Sequence, residues 1–130
     1  MAEAKTTLTP AQKVEKARKA LEDLNRGEVN PEAFAEDAVL HGVLVGDLRG
    51  RDAIVSALEK QRASYDEFRQ EPHAILADED HTVALVNVTM RRGGQEIKAQ
   101  QVLVVHANDQ GQIREVWAMF DPDATKKLAR

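Results

Sequence analysis

Three polar side chains are the strongest candidates for chemistry in this sequence: Gln101, His41 and Asp121. Gln101 is the one polar residue in the middle of a predicted apolar strand face, where its amide could orient a ligand or bond to a backbone group. His41 lies at a break in a predicted strand, where an imidazole can act as acid or base or as a structural donor. Asp121 follows the last predicted strand and could reach a pocket or cap a turn.

Other common catalytic patterns are missing from the sequence. There is no cysteine, which excludes disulfides, thiolate nucleophiles and thiolate metal sites. The four histidines are scattered, and no glycine-rich phosphate loop or serine nucleophile elbow is present. We therefore expect neither a metal nor another cofactor.

Length and composition favour one globular domain spanning residues 1–130, with an ordered core at about residues 9–125. The chain has 130 residues and a formal net charge of −4, and it contains one Trp, one Tyr and three Phe. Mild acidity and few aromatic residues argue against nucleic-acid binding. No apolar run is long enough to cross a membrane. We expect a cytoplasmic protein.

The elements that must position these side chains are helices in the first half and strands in the second, which predicts an α+β fold with an antiparallel sheet. A capping motif at Thr9 and Gln12 predicts a helix that stops at Gly27. Shorter helices are predicted at residues 30–34, from residue 50, and after residue 123. The predicted strands cover residues 39–45, 72–77, 82–91, 96–107 and 112–120.

Two predicted turns set the register of the last three strands. Gly93 and Gly94 predict a two-residue turn that pairs Arg92 with Gln95. A four-residue turn at 108–111 would pair Leu103 with Val116, Gln101 with Ala118 and Val102 with Trp117. The resulting first face carries Ala84, Val86, Val88, Met90, Ile97, Ala99, Gln101, Leu103, Val105, Val116, Ala118 and Phe120.

The second face of the predicted sheet is also apolar in its last two strands. An antiparallel sheet with one wet side should alternate apolar and polar residues, and the few predicted helices can cover only one side. We expect a second copy of the chain to cover the other side, forming a homodimer. A helix or tail of the same chain is the alternative cover. The expected contact residues are Val102, Val104, Trp117 and Met119.

The sequence resembles the nuclear transport factor 2-like superfamily, and within it the SnoaL-like and ketosteroid-isomerase-like bacterial proteins. The matching stretches within residues 10–125 are 34–41 (FAEDAVLH), 50–54 (GRDAI) and 111–117 (GQIREVW). The resemblance implies a cone-shaped, bent antiparallel sheet with N-terminal helices packed on its concave face, a pocket between them, and homodimers through the outer face. Gly42, Leu103 and Ala118 stand where relatives carry catalytic carboxyls.

Two functional interpretations remain open. The chain could be a pocket protein for a hydrophobic oxygenated ligand, with cofactor-independent isomerase or cyclase chemistry in which His41 moves the proton and Gln101 steadies an enolate oxygen. It could instead be a non-catalytic dimerisation or binding module. The predicted catalytic residues are His41 and Asp121, and the predicted ligand contacts are Gln101, Val86, Val88, Met90, Leu103, Val116, Ala118, Phe120 and Tyr65.

Overall fold

The structure is a computed structural model that describes residues 8–42 and 46–120. Six strands form one curved, unclosed sheet in the order β2-β1-β6-β5-β4-β3, and two helices pack on one face of it. The predicted α+β class is therefore confirmed. The elements are α1 (Pro10–Asn25), a 3₁₀ turn (Pro31–Ala33), β1 (Phe34–Gly42), β2 (Gly46–Arg49), α2 (Arg51–Ala63), β3 (Glu67–Ala77), β4 (His81–Arg92), β5 (Gln95–Ala107) and β6 (Ile113–Phe120).

The start of α1 forms as the sequence predicts. The Thr9 hydroxyl accepts a hydrogen bond from the backbone N–H of Gln12 at 3.2 Å, and the Gln12 side chain accepts one from the Thr9 N–H at 2.9 Å. This reciprocal capping box satisfies two N–H groups that a helix start leaves free. The helix ends at Asn25, just before Gly27 with its positive φ of 81°.

The hairpin between β4 and β5 also has the predicted register. Arg92 pairs with Gln95 across a two-residue turn, and Val86 pairs with Gln101. Gly93 and Gly94 have φ of 59° and 83°, the left-handed conformation that such a turn requires.

The register predicted for β5 and β6 is wrong by two residues. Leu103 lies opposite Ala118 rather than Val116, because the turn contains five residues and a further register irregularity follows it. The side-chain oxygen of Asn108 accepts hydrogen bonds from the backbone N–H groups of Gln110 and Gln112, which closes the longer turn. Since a shift of two preserves the alternation of side chains, each residue keeps its predicted face. The same shift places Gln101 opposite Phe120 and Val102 opposite Met119.

Pairing between the two halves of the chain departs from the purely antiparallel prediction. β1 lies parallel to β6, with Leu40 opposite Val116 and His41 opposite Trp117. β1 also starts at Phe34 instead of residue 39, and β3 starts at Glu67 instead of residue 72. Residues 43–45, the end of the predicted first strand, and the predicted C-terminal helix lie outside the described residues.

Both helices bury their apolar stripes against the same face, which we call the concave face. Leu21 of α1 packs with Phe68, Val86 and Met90 in one cluster that also includes Ala84, Val88 and Phe120. Ile54 of α2 is fully buried in a second cluster with Phe34, Ala35, Ala38, Leu40 and Val116. The concave face is therefore the core of the molecule and the place where a buried site can form.

Candidate functional site on the concave face

Gln101 lies in the middle of the concave face with an unpartnered amide oxygen. It stands on β5 between Val86 on β4 and Phe120 on β6, neither of which offers a polar side-chain atom. The residue is only 8% exposed, and its Oε1 has no hydrogen-bond partner. A buried acceptor without a partner costs about 1–3 kcal/mol of stability.

The residues beside Gln101 on its own strand are only partly covered. Ile97, Ala99, Leu103 and the facing Ala118 are half-buried, whereas Val86 and Val88 on β4 are each 1% exposed. We call the five residues Ile97, Ala99, Gln101, Leu103 and Ala118 the β5 strip. It is an apolar, partly accessible surface around one buried polar side chain, and apolar residues around a few polar groups are the usual composition of a small-molecule site.

The structure brings most of the predicted ligand contacts together on this face. Val86, Val88, Met90 and Phe120 form the closed core beside Gln101, so they support the strip rather than expose a surface of their own. Leu103 and Ala118 belong to the β5 strip. Val116 lies further along β6, in the cluster beneath α2.

Tyr65 lies at the hairpin end of the sheet, after α2 has ended at Ala63. The helix predicted from residue 50 therefore stops two residues before Tyr65. Its ring is 5.3 Å from that of Phe68, and the guanidinium of Arg92 lies 4.4 Å above it. Tyr65 thus covers one end of the first core cluster.

His41 lies on the opposite face of the sheet from Gln101. Its neighbour Leu40 points into the core beneath α2, so the alternation of β1 turns His41 outward. Its Nε2 donates a hydrogen bond to Oε2 of Glu115 at 2.6 Å, and its ring stacks on Trp117 at 5.7 Å. The structure does not bring His41 and Gln101 together. Asp121 lies outside the described residues, and a catalytic role for either residue stays a prediction.

No described concave-face residue of β3 to β6 carries a carboxylate or an imidazole, because the alternating positions there are apolar or neutral. Two buried neutral polar residues of this face were not predicted, Thr82 and Gln70, of which Gln70 lies opposite Val88. The Asn25 side chain at the end of α1 bonds to both the carbonyl and the N–H of Gln70, at 2.9 and 2.8 Å. The alternation of residues 67–71 was the available signal.

The outer face carries an apolar surface that we call the outer patch, consisting of Leu76, Val83, Leu85, Val102, Val104, Trp117 and Met119. Pairing across four strands aligns Leu76, Val83, Val104 and Trp117 in one continuous row. Leu76 is 63% exposed and Met119 is 49% exposed, and the other members are half-buried. A contiguous surface of this kind is typical of an interface.

A separate polar cavity of about 140 Å³ lies where α1 begins, between the β3–β4 and β5–β6 turns. Lys13 lines it and donates hydrogen bonds to the carbonyls of Asp78 and Glu79, at 2.8 and 2.5 Å. Lys16 similarly donates to the carbonyl of Gly111 at 2.9 Å. These contacts fix the helix start to both turns, so the cavity has a structural explanation.

Residues 8–42 and 46–120 contain no group of three or more histidine or acidic side chains that could hold a metal ion. Neither described helix is both long and apolar enough to cross a membrane.

Comparison with known proteins identifies the family. The SnoaL-like domain model matches residues 17–116, and the chain belongs to this family. A search of curated proteins found no significant match.

Solved structures share the fold at low sequence identity. Bal32a, from a soil-derived mobile gene cassette, superposes with a TM-score of 0.82 at 22% identity, over 93% of this chain and 98% of that one. IdmH from Streptomyces antibioticus, a candidate polyketide cyclase, gives 0.76 at 18% identity, over 92% and 99%. An LEH-like epoxide hydrolase from M. tuberculosis gives 0.76 at 18% identity, over 91% and 89%. The fold is that of the nuclear transport factor 2-like superfamily, which hosts unrelated activities.

Proposed function

We propose that this chain binds a hydrophobic, oxygenated small molecule along the β5 strip, with the Gln101 amide as its polar contact. The observation that carries the proposal is the unpartnered Oε1 of Gln101, buried at the centre of a half-covered apolar surface. A ligand that covers the strip and bonds to Oε1 would recover the cost of the unsatisfied acceptor. The relatives named as a cyclase and an epoxide hydrolase act on small molecules, which agrees with this role.

The proposal is tested by a thermal-shift screen of flat steroid-like and polyketide-like compounds against wild type and Gln101→Met. A ligand at 100 times its Kd should stabilise the wild type by about 2.7 kcal/mol. The variant should lose this response while its unliganded form becomes more stable by about 1–3 kcal/mol, because methionine fills the space without an unsatisfied acceptor. Thr89→Val, which removes a buried polar group from the outer face, is the matched control. A screen without any stabilising compound would contradict the proposal.

The first candidate function includes isomerase or cyclase activity on the bound ligand. The second candidate function is a binding module without catalytic activity. Isomerase or cyclase chemistry needs an acid or base beside the reacting atom, and the described concave face of β3 to β6 has no carboxylate or imidazole. The rate at which the α-protons of 2-tetralone exchange in D₂O distinguishes the isomerase or cyclase from the non-catalytic module. Acceleration that Asp121→Asn abolishes supports proton-transfer catalysis. Binding without acceleration supports the non-catalytic module.

We also propose that a second copy of the chain covers the outer patch. The patch is apolar, spans four strands and leaves Met119 and Leu76 largely exposed. A two-fold axis through the patch would pack Leu76 and Met119 of each copy against the outer patch of the other copy. These side chains would then be shielded from water.

We propose a cytoplasmic location, because the sequence has no cysteine and therefore cannot form the disulfides that are common in proteins of oxidising compartments. Fractionation of cells that express the chain tests it.

A further inference from the structure

We infer that the ligand at Gln101 is neutral and donates a hydrogen bond to Oε1, as an alcohol, a phenol or an enol does. The inference rests on the proposed function and narrows it from oxygenated ligands in general to those with an O–H group. Its basis is the identity of the buried atom, an amide oxygen, together with two features of the described concave positions of β3 to β6: they hold no carboxylate or imidazole, and the nearby Arg92 is already engaged.

The buried atom decides which functional groups can approach. An amide oxygen has two lone pairs and only accepts hydrogen bonds. In Gln101 neither lone pair is used, and burial removes water as a general partner. A ketone, ether or ester oxygen would direct its own lone pairs at Oε1 and leave both atoms unsatisfied. A hydroxyl satisfies the acceptor and completes its own bonding in one contact.

The same unpartnered Oε1 argues against the expected contact between Gln101 and an enolate oxygen. An enolate oxygen is an anion, and an acceptor repels it. Oxyanion stabilisation requires donors aimed at the developing charge, whereas Gln101 directs an acceptor into the buried space. The uncharged enol tautomer, which carries an O–H, fits Oε1 instead.

Ligand neutrality follows from the surroundings. A buried ion needs a partner of opposite charge, and the described concave positions of β3 to β6 hold no carboxylate or imidazole. Arg92, at the hairpin end of β4, is already engaged: it lies over the Tyr65 ring and donates to the carbonyl of Ser64 at 3.1 Å. A carboxylate ligand therefore has no free cation on this face among the described residues.

Calorimetric titration with three flat probes of one ring system tests the inference. The probes are 2-naphthol, which donates a hydrogen bond, 2-methoxynaphthalene, which cannot, and 2-naphthoate, which is charged. We expect wild type to bind 2-naphthol about tenfold more tightly than the ether, and to bind 2-naphthoate most weakly. Gln101→Met should bind 2-naphthol and the ether equally. Gln101→Leu is the second variant if the first does not fold, and Thr89→Val should keep the tenfold preference.

The outcomes separate the inference from the function on which it rests. Equal binding of 2-naphthol and the ether to wild type would overturn the donor requirement and leave the strip as a binding site. A Gln101-dependent preference for the ether would do the same, and would show that the amide nitrogen faces the ligand. Tightest binding of 2-naphthoate would overturn neutrality. Failure of all three probes, together with a screen without stabilising compounds, would overturn both the inference and the proposed function.

Discussion

His41 and Glu115 form a 2.6 Å hydrogen bond on the outer face of the sheet, with the His41 ring stacked on Trp117. The contact joins β1 to β6, the parallel pair that connects the two halves of the chain. It lies beside the outer patch and on the far side of the sheet from Gln101. The pair therefore links β1 to β6 on the outer face of the sheet.

Replacing His41 or Glu115 by alanine should lower stability by up to about 1 kcal/mol, as expected for a partly exposed pair. The double variant should lose less than the sum of the two single variants, because both changes remove one interaction. Urea denaturation measures each value. Neither variant should change the affinity for 2-naphthol. A folded His41→Ala protein with weakened 2-naphthol binding would return His41 to the ligand site.

Met119→Lys should dissociate the proposed dimer. Burying a methionine side chain stabilises by about 1.5–3 kcal/mol, and two copies contribute in a symmetric interface, so the dimer Kd should rise at least about 100-fold. Sedimentation velocity measures the change. Gln95→Lys adds the same charge at the exposed hairpin end of the sheet and should leave the dimer intact. A wild type that sediments as a monomer at micromolar concentration would refute the proposed interface.

Trp117 offers a second readout of assembly, since it is the only tryptophan in the sequence and belongs to the outer patch. Diluting the wild type through the dimer Kd should shift its emission to longer wavelength as the ring becomes exposed to water. Met119→Lys should show the shifted spectrum at all concentrations. Emission that is independent of concentration in both proteins would place Trp117 outside any interface.

Asp78 should make stability sensitive to acid. Its side-chain oxygen accepts hydrogen bonds from the backbone N–H groups of His81 and Asp80, both at 2.8 Å, and these bonds hold the pKa of Asp78 below its ordinary value of 3.8. A lowered folded pKa contributes stability that is present above the unfolded value and is lost as the pH falls through the folded value.

Asp78→Asn keeps an acceptor oxygen but does not titrate, so it should flatten this acid-dependent loss. Asp78→Ala removes the acceptor and should lower stability at neutral pH as well. Thermal unfolding from pH 6 to pH 2 compares the three proteins. Equal acid profiles for wild type and Asp78→Asn would rule out this contribution.

Thr9→Ala should lower the unfolding free energy by about 1 kcal/mol, because it removes the hydroxyl that caps α1. Thr9→Ser keeps a capping oxygen and should retain most of the stability. Guanidinium denaturation monitored by circular dichroism provides the comparison. Equal losses in the two variants would assign the effect to the methyl group instead of the cap.

The concave face was predictable because local signals and alternation agree. Gly93 and Gly94 set the β4–β5 register, and the two-residue error between β5 and β6 left each side chain on its predicted face. Gln101 could therefore be placed from sequence. The extra turn residue depends on the Asn108 side chain closing the loop, a contact that composition does not reveal.

The position of His41 could not be predicted from the sequence, because it depends on a pairing between strands far apart in the chain. Nothing local to β1 indicates that it lies parallel to β6, with His41 opposite Trp117. Gln70 was missed for a different reason. The predicted strand began at residue 72, although the strand begins at Glu67 and residues 67–71 already alternate between buried and exposed.

An NMR titration of the wild type with 2-naphthol distinguishes the two faces of the sheet, because the side chains of Gln101 and Trp117 each give a separate signal. We expect the side-chain amide resonances of Gln101 to shift with added 2-naphthol while the indole N–H resonance of Trp117 stays in place. A shift of the Trp117 indole with an unchanged Gln101 amide would put the ligand on the outer face and refute the proposed site at Gln101.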